Sequence, residues 1–278
     1  MPYARLFLAG FRRRTTYRLA ILAGVVTNSS FGLIRCAVLV AMAGAAAGGS
    51  TAAGAGGPDG VGVLLGGYDT AGLLAYAWIT QALLGPVNIW SGTDLRDRVR
   101  SGDIAVDLAR PIDVQGALLA HDAGYSLAAV IPRSIPTLLI GVLVVGVRLP
   151  TAASVWLAGL VSIVLAVVVS YLARFLLQSA AFWITETRGL LNLYAGAAGI
   201  FSGLIMPLAI MPDGLRALAY ATPFPALIQI PADVLGGRAL GADALGLLGV
   251  QLLWLVVLAV AGRFALAAGS RRLVVAGG

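Results

Sequence analysis

Runs of about twenty predominantly apolar residues recur along this chain, and each is long enough for one helix to cross a bilayer core. Lipid offers no partner to a free peptide group, so a spanning segment must be a helix or part of a closed barrel. Unbroken apolar runs, with no two-residue alternation, select helices. The expectation is an all-α integral membrane protein with six transmembrane helices, at about Leu19–Ala46, Tyr68–Trp90, Leu118–Val147, Ser154–Trp183, Gly189–Ile210 and Ala244–Ala268. They form one membrane domain, residues 19–268, between an N-terminal segment 1–18 and a tail 269–278.

Between the second and third spans lies the one long polar interval, Ser91 to Asp113, SGTDLRDRVRSGDIAVDLARPID, with four arginines and five aspartates. The chain as a whole is 59% hydrophobic and 11% charged, so this interval stands out. Its signs alternate, which reads as a docking surface and not as a nucleic-acid patch. Met211 to Asp243, with Pro212, Pro223, Pro225 and Pro231, is too broken to span and too apolar for a free loop. An external re-entrant hairpin buried against the helices satisfies both constraints. Ala47 to Gly67 is a Gly/Ala-rich low-complexity loop. Two prolines, Pro132 and Pro136, are expected to bend the third span. Gly199 and Gly203 form a GxxxG at which another helix can approach.

Arginine placement sets the orientation. Arg5, Arg12, Arg13, Arg14, Arg18, Arg96, Arg98, Arg100, Arg110, Arg188, Arg271 and Arg272 fall on one side, against Arg148, Arg216 and Arg238 on the other. The excess puts both termini in the cytoplasm. In the first segment Tyr3, Leu6, Phe7, Gly10, Phe11 and Arg14 recur at helical spacing, as in a helix lying in the inner interface. A cleaved signal peptide is the competing reading, but the apolar run after it far exceeds a signal core of about 7 to 15 residues.

Absences narrow the function. The formal charge is +7, yet all 19 basic residues are arginine, so no Walker A lysine and no Schiff-base lysine exists. One histidine and one cysteine cannot build the usual structural zinc site, a disulfide or a c-type haem attachment. Neither GxSxG nor HExxH occurs. The chain is expected to lack enzymatic activity, metal sites and cofactors of its own.

Single polar residues within spans carry the remaining information. Arg35, Arg133 and Arg174 fall within or near hydrocarbon, and each needs a carboxylate, a carbonyl or a wet gap. Mid-span carboxylates are missing, which removes the usual relay for proton coupling. His121 and Asp122 are neighbours that point to different sides of a helix. Cys36 reads as a small buried hydrophobe. Asn28, Ser29, Gln81, Asn192, Ser202 and Met206 are candidates for a translocation path, and interhelical hydrogen bonds explain the polar ones equally well.

RSGDIAVDLARPID, the earlier GGYDTAGLLAYAWITQALLG, the later SGLIMPLAIMPDGLRALAYATPFPALIQIPADVLGG and the terminal GG together resemble an ABC-2 type transporter permease. They are most similar to the bacterial branch whose operons encode two permeases and one ATPase. The resemblance implies a coupling helix within 91–113 seated on a separate ATPase dimer, with Arg96, Asp97, Arg98, Arg100, Asp103, Asp107 and Arg110 at the contact. It makes residues 1–18 an interfacial connecting helix and 211–243 external re-entrant helices. It also implies a second permease subunit, like or unlike, and ATP and Mg on the partner ATPase. The expected activity is export of a drug, lipid or peptide-like substrate across a bacterial cytoplasmic membrane. A secondary transporter or channel acting alone, and a membrane scaffold without cargo, are the alternatives.

Overall fold

The computed structural model describes residues 2–15, 18–46, 65–90, 94–184 and 186–272. Most of the Gly/Ala-rich loop (47–64), the first residues of the charged interval (91–93) and the end of the tail (273–278) lie outside the described residues. The helices, in order, are α1 (Pro2–Thr15), α2 (Arg18–Ala46), α3 (Thr70–Leu83), α4 (Leu95–Ser101), α5 (Asp103–Ala109), α6 (Val114–Ala129), α7 (Ile135–Ile140), α8 (Ala153–Gln178), α9 (Arg188–Phe201), α10 (Asp213–Tyr220), α11 (Gln229–Leu235) and α12 (Ala242–Ser270).

Among the described residues, four helical rods are long and apolar enough to cross a membrane: Ala23–Ala45, Val114–Val145, Ala153–Phe182 and Ala242–Ser270. They coincide with the expected first, third, fourth and sixth spans. The second and fifth are shorter than expected. α3 and α9 have 14 residues each, about 21 Å at 1.5 Å per residue against a core of about 30 Å. Gly85 and Pro86 end the first of these, because the residue before proline is driven out of the helical region. The apolar chain continues in tight turns, with Val87 and Ile89 buried and Asn88 at φ 52°. α9 stops before Gly203, whose φ of 83° belongs to the left-handed region.

The third span follows its prolines. Pro132 cannot donate to the preceding turn, and the rod widens into a π turn at Val130–Ser134. Ser134 Oγ leaves its own helix and donates to Ala82 O at 2.7 Å. A second π turn, Gly141–Val145, lies against Trp78, where a Cβ on Gly141 would come within 2.8 Å of the ring.

The core gathers around α3, whose residues from Tyr76 to Leu83 are all buried. A helix apolar on every side must be enclosed by its neighbours, here α2, α7 and α11. The rods behave oppositely and expose Phe31, Leu143, Leu157, Leu253 and Phe264 on their outer faces. Polar pairs lock the seams. Gln251 of α12 donates to Ser162 O (3.1 Å) and Ala226 O (2.9 Å) and accepts from Ser162 Oγ (2.8 Å). Around Asp233, Tyr68 and Gln229 donate to its two oxygens, and Arg238 pairs with it at 3.2 Å. Met211–Asp243 is a run of short helices, α10 and α11 among them, with residues 225–235 largely buried against α3, α8 and α12.

Among the described residues the expected GxxxG does not set two helices of this chain side by side. Gly203 lies beyond the end of α9, beside Tyr76 and Gln229, and Gly199 has open space where a Cβ would point. The close crossing is elsewhere. α1 runs alongside the start of α6, and a Cβ on Gly10 would meet His121 O at 1.9 Å, one on Gly124 would meet Phe7 O at 1.9 Å. The face of α1 turned to α6 contains Gly10, Phe11 and Arg14, as the spacing predicted, while Arg5, Arg12 and Arg13 are exposed. The Val114–Val145 rod that begins with α6 has 32 residues and is about 48 Å long, some 18 Å more than the hydrocarbon core; α1 packs against its α6 part. Gly124→Ala is expected to cost about 1–3 kcal/mol of stability, while Gly199→Ala should be neutral or slightly stabilising, as judged by thermal melts of the purified proteins.

Candidate functional site

The charged interval folds into two seven-residue helices that meet at Gly102. Its φ of 83° is costly for any residue with a Cβ, so the chain can reverse there. Leu95 and Ile104, one from each helix, are fully buried and pin the pair to the body. α5 ends at Arg110, extended at ψ 147°, as Pro111 demands. Asp113 then caps α6 by accepting from Gly116 N at 2.7 Å.

Charge pairs brace this corner internally. Asp107 accepts from Arg98 and, at 3.4 Å, from Arg110. Ser101 Oγ donates to Asp103 at 2.8 Å. Asp94 faces Arg13 of α1 at 3.2 Å and His121 of α6 at 3.9 Å. Between the two helices opens a cleft of about 530 Å³ lined by Asp94, Asp97, Arg98, Ser101, Asp103, Val106, Asp107 and Arg110. Val106 and Leu108 are exposed on it and beside it, an apolar element on an otherwise charged surface.

A second brace was not legible as a site beforehand. Glu186 accepts from Arg188 N at 2.9 Å and from Arg96 Nη2 at 3.3 Å, with Arg100 and Arg188 side chains at 3.9 Å. The backbone donor of Arg188 chiefly, and the three guanidinium groups, hold its carboxyl below the ordinary glutamate value. It is the chain's only glutamate, and its position among arginines was the available signal. It joins α4 to the junction of α8 and α9, and the backbone N of Arg96 adds a bond to Gln178 Oε1 at 3.3 Å.

A family model described as ABC-2 family transporter protein matches residues 62–277, most of the chain. The protein belongs to the ABC-2 transporter family. It is a multi-pass membrane protein, and its family is the membrane component of such transporters, not the ATPase. No curated protein matches it.

In this ABC-2 permease the span arginines differ in their partners. Arg174 (α8) forms a buried two-pronged pair with Asp122 of α6 at 2.9 and 3.3 Å. Asp122 lies about 35 Å from Val145 along its rod and Arg174 about 32 Å from Ala153, at 1.5 Å per residue. The pair thus sits at the end of both rods nearest the charged corner. His121 turns to Asp94 instead, so the two neighbours do face different sides. Arg14 lies over the Tyr125 ring at 4.4 Å. Burial lowers its pKa, the Arg133 charge adds to that, and Tyr125 and Asp122 oppose it. Arg35 finds a hydroxyl, Thr80 Oγ1 at 2.9 Å, and no carboxylate among the described residues. Cys36 is buried and free.

The path candidates fall into three places. Asn28 Nδ2 donates to Gln81 O (2.8 Å) and Thr137 Oγ1 (3.3 Å), joining α2, α3 and α7. Ser29 Oγ and Gln81 Oε1, beside it, have no hydrogen-bond partner among the described residues. Ser202 and Met206 belong to the turn after α9, where Ser202 O accepts from Gln229 N at 2.9 Å. Asn192 is exposed on α9. The structure does not bring these six together around one cavity.

Two outcomes follow. With its pKa lowered, Glu186 braces the corner fully above the ordinary glutamate value and loses that role as pH falls through the lowered one. Hydrogen exchange of the Leu95–Ser101 amides should be faster in Glu186→Gln than in wild type at neutral pH, and the two should converge in acid. Arg174→Met should cost about 3–5 kcal/mol by leaving Asp122 buried and unpaired, and adding Asp122→Leu should restore most of it, measured by thermal melts.

Proposed function

We propose that this protein is the permease subunit of an ATP-binding-cassette exporter in a bacterial cytoplasmic membrane, with both termini inside and energy drawn from a separate ATPase dimer. ATP and Mg reside on that partner. A second permease subunit, like or unlike, completes the path. The cargo is a drug-, lipid- or peptide-like molecule. α3 and α9, continued by the buried turns after them, complete six crossings, and Met211–Asp243 forms the external re-entrant cap.

The observation that carries this reading is the α4–α5 corner. It is pinned by Leu95 and Ile104 and braced to α1, α6 and the α8–α9 junction by Asp94 and Glu186, yet it presents an open charged cleft with Val106 and Leu108 beside it. Such a handle transmits force because pushing it moves several rods at once. In this mechanism closure of the ATPase pair displaces the corner, tilts α3 and α6, and switches access between the two sides. The seven interval residues divide the work. Arg98, Asp107 and Arg110 stiffen the corner, Arg96 and Arg100 hold Glu186, and Asp97 and Asp103 line the cleft wall that meets the ATPase.

Asp97→Arg combined with Val106→Glu should abolish co-purification of the neighbouring-gene ATPase and leave the permease's melting temperature unchanged, since neither residue anchors the corner. Undiminished capture, also by a loop with all seven charged residues replaced by alanine, would refute the coupling role. ATP-dependent uptake into inside-out vesicles tests export itself.

A further inference from the structure

The seam where α2 meets α3 and the Val130–Ser134 turn gathers arginines that form no ion pair among the described residues. Arg133 points from that turn toward the start of α2, where its Nε lies 3.6 Å from the place a Cβ on Gly24 would occupy. That nitrogen is buried and has no hydrogen-bond partner. Arg14 reaches the same neighbourhood from α1, with Nη1 buried and likewise unpartnered. Gly24 and Arg35 are separated by about 16 Å along α2, at 1.5 Å per residue. Arg35 is in the middle of the Ala23–Ala45 rod, and its Nε and Nη2 lack partners. Between them Asn28 supplies a further polar group. Of the chain's twelve acidic residues, none forms an ion pair with these three arginines among the described residues.

Arginine stays charged, so the buried, unpartnered nitrogens of these half-buried groups favour an anionic partner. A second copy of the chain supplies none at this depth. Its four rods contain only Asp122, already held by Arg174, and Asp243 in the first turn of α12. Alongside, α2 exposes Phe31, Ile34 and Val38, an apolar wall next to the cationic line. Resting on the permease reading above, we propose that this seam binds the anionic headgroup, phosphate or carboxylate, of an amphiphile whose apolar body lies along α2, and that the exported cargo belongs to this class. The arginines at the inner end and the middle of α2 then serve as successive stations for the headgroup.

The test uses the purified full-length protein and three amphiphiles that share one alkyl chain: an alkyl phosphate, an alkyl phosphocholine and an alkyl trimethylammonium. The alkyl phosphate should bind about tenfold or more tightly than the other two, the scale of one charge-assisted contact. That preference should shrink in Arg35→Gln and Arg133→Gln and persist in Arg35→Lys. Equal affinities for the three heads in wild type, or an undiminished preference in both Gln variants, overturns the site. Should a Gln variant fail to fold, the wild-type series and Arg35→Lys decide. The assembled complex with its ATPase separates cargo from resident lipid. ATP-dependent release of bound alkyl phosphate supports cargo, and retention during ongoing ATP hydrolysis overturns that assignment. Failure to recruit an ATPase at all would refute the permease reading and leave the headgroup preference of the isolated protein standing.

Discussion

A helix in hydrocarbon can break only where its freed peptide groups find partners, and the architecture here follows from where those partners are. The breaks after α3 and α9 are both covered by protein. Gln229 reaches across the second of them, its backbone N donating to Ser202 O at 2.9 Å and its Oε1 accepting from Leu208 N at 3.0 Å. The Tyr76 hydroxyl adds a contact to the Gly203 carbonyl and to the same Gln229 oxygen. Beside the first break, the widened turn at Pro132 lends Ser134 to Ala82 O. These bonds are why α3 sits at the centre, with the long rods outside it presenting apolar outer faces. Losing Gln229 would expose several carbonyls and amides at once, each expensive in an apolar medium.

At the charged corner the logic is reversed. Water is available there, and single exposed ion pairs add little stability. Their value is geometric, since Asp94 and Glu186 each face residues from more than one helix and so fix how α4 stands against α1, α6 and the start of α9. The Gly10–Gly124 crossing supports this from behind by letting backbones of α1 and α6 meet without side chains between them. A braced corner set on apolar pins, with a cleft left open, suits the force-bearing contact proposed for it.

Between these regions the arginines separate by partner. Arg174 has Asp122 and serves packing. Arg35, Arg133 and Arg14 form no ion pair with a carboxylate among the described residues, and a buried cation without one does not add stability. The difference is invisible in composition, where all three look like positive residues within or near spans.

The sequence by itself determined the class of protein, the four long rods, the polar corner, the proline break in the third span and the family. These follow from local properties: run length, arginine placement, proline's missing donor and the fit of a residue pattern. That Gly10, Phe11 and Arg14 share a side of α1 was also readable, because helical spacing dictates which side chains share a side, whereas the packing of that side on α6 was not. Only the tertiary structure decided that α3 and α9 are short, that Gly10 and Gly124 make the close crossing within the chain while Gly199 leaves open space beside it, and that Glu186 braces the corner. The physical reason is the same in each case. A glycine spacing or a lone carboxylate states what a residue permits, and whether the permission is used depends on which distant backbone or guanidinium the fold brings against it.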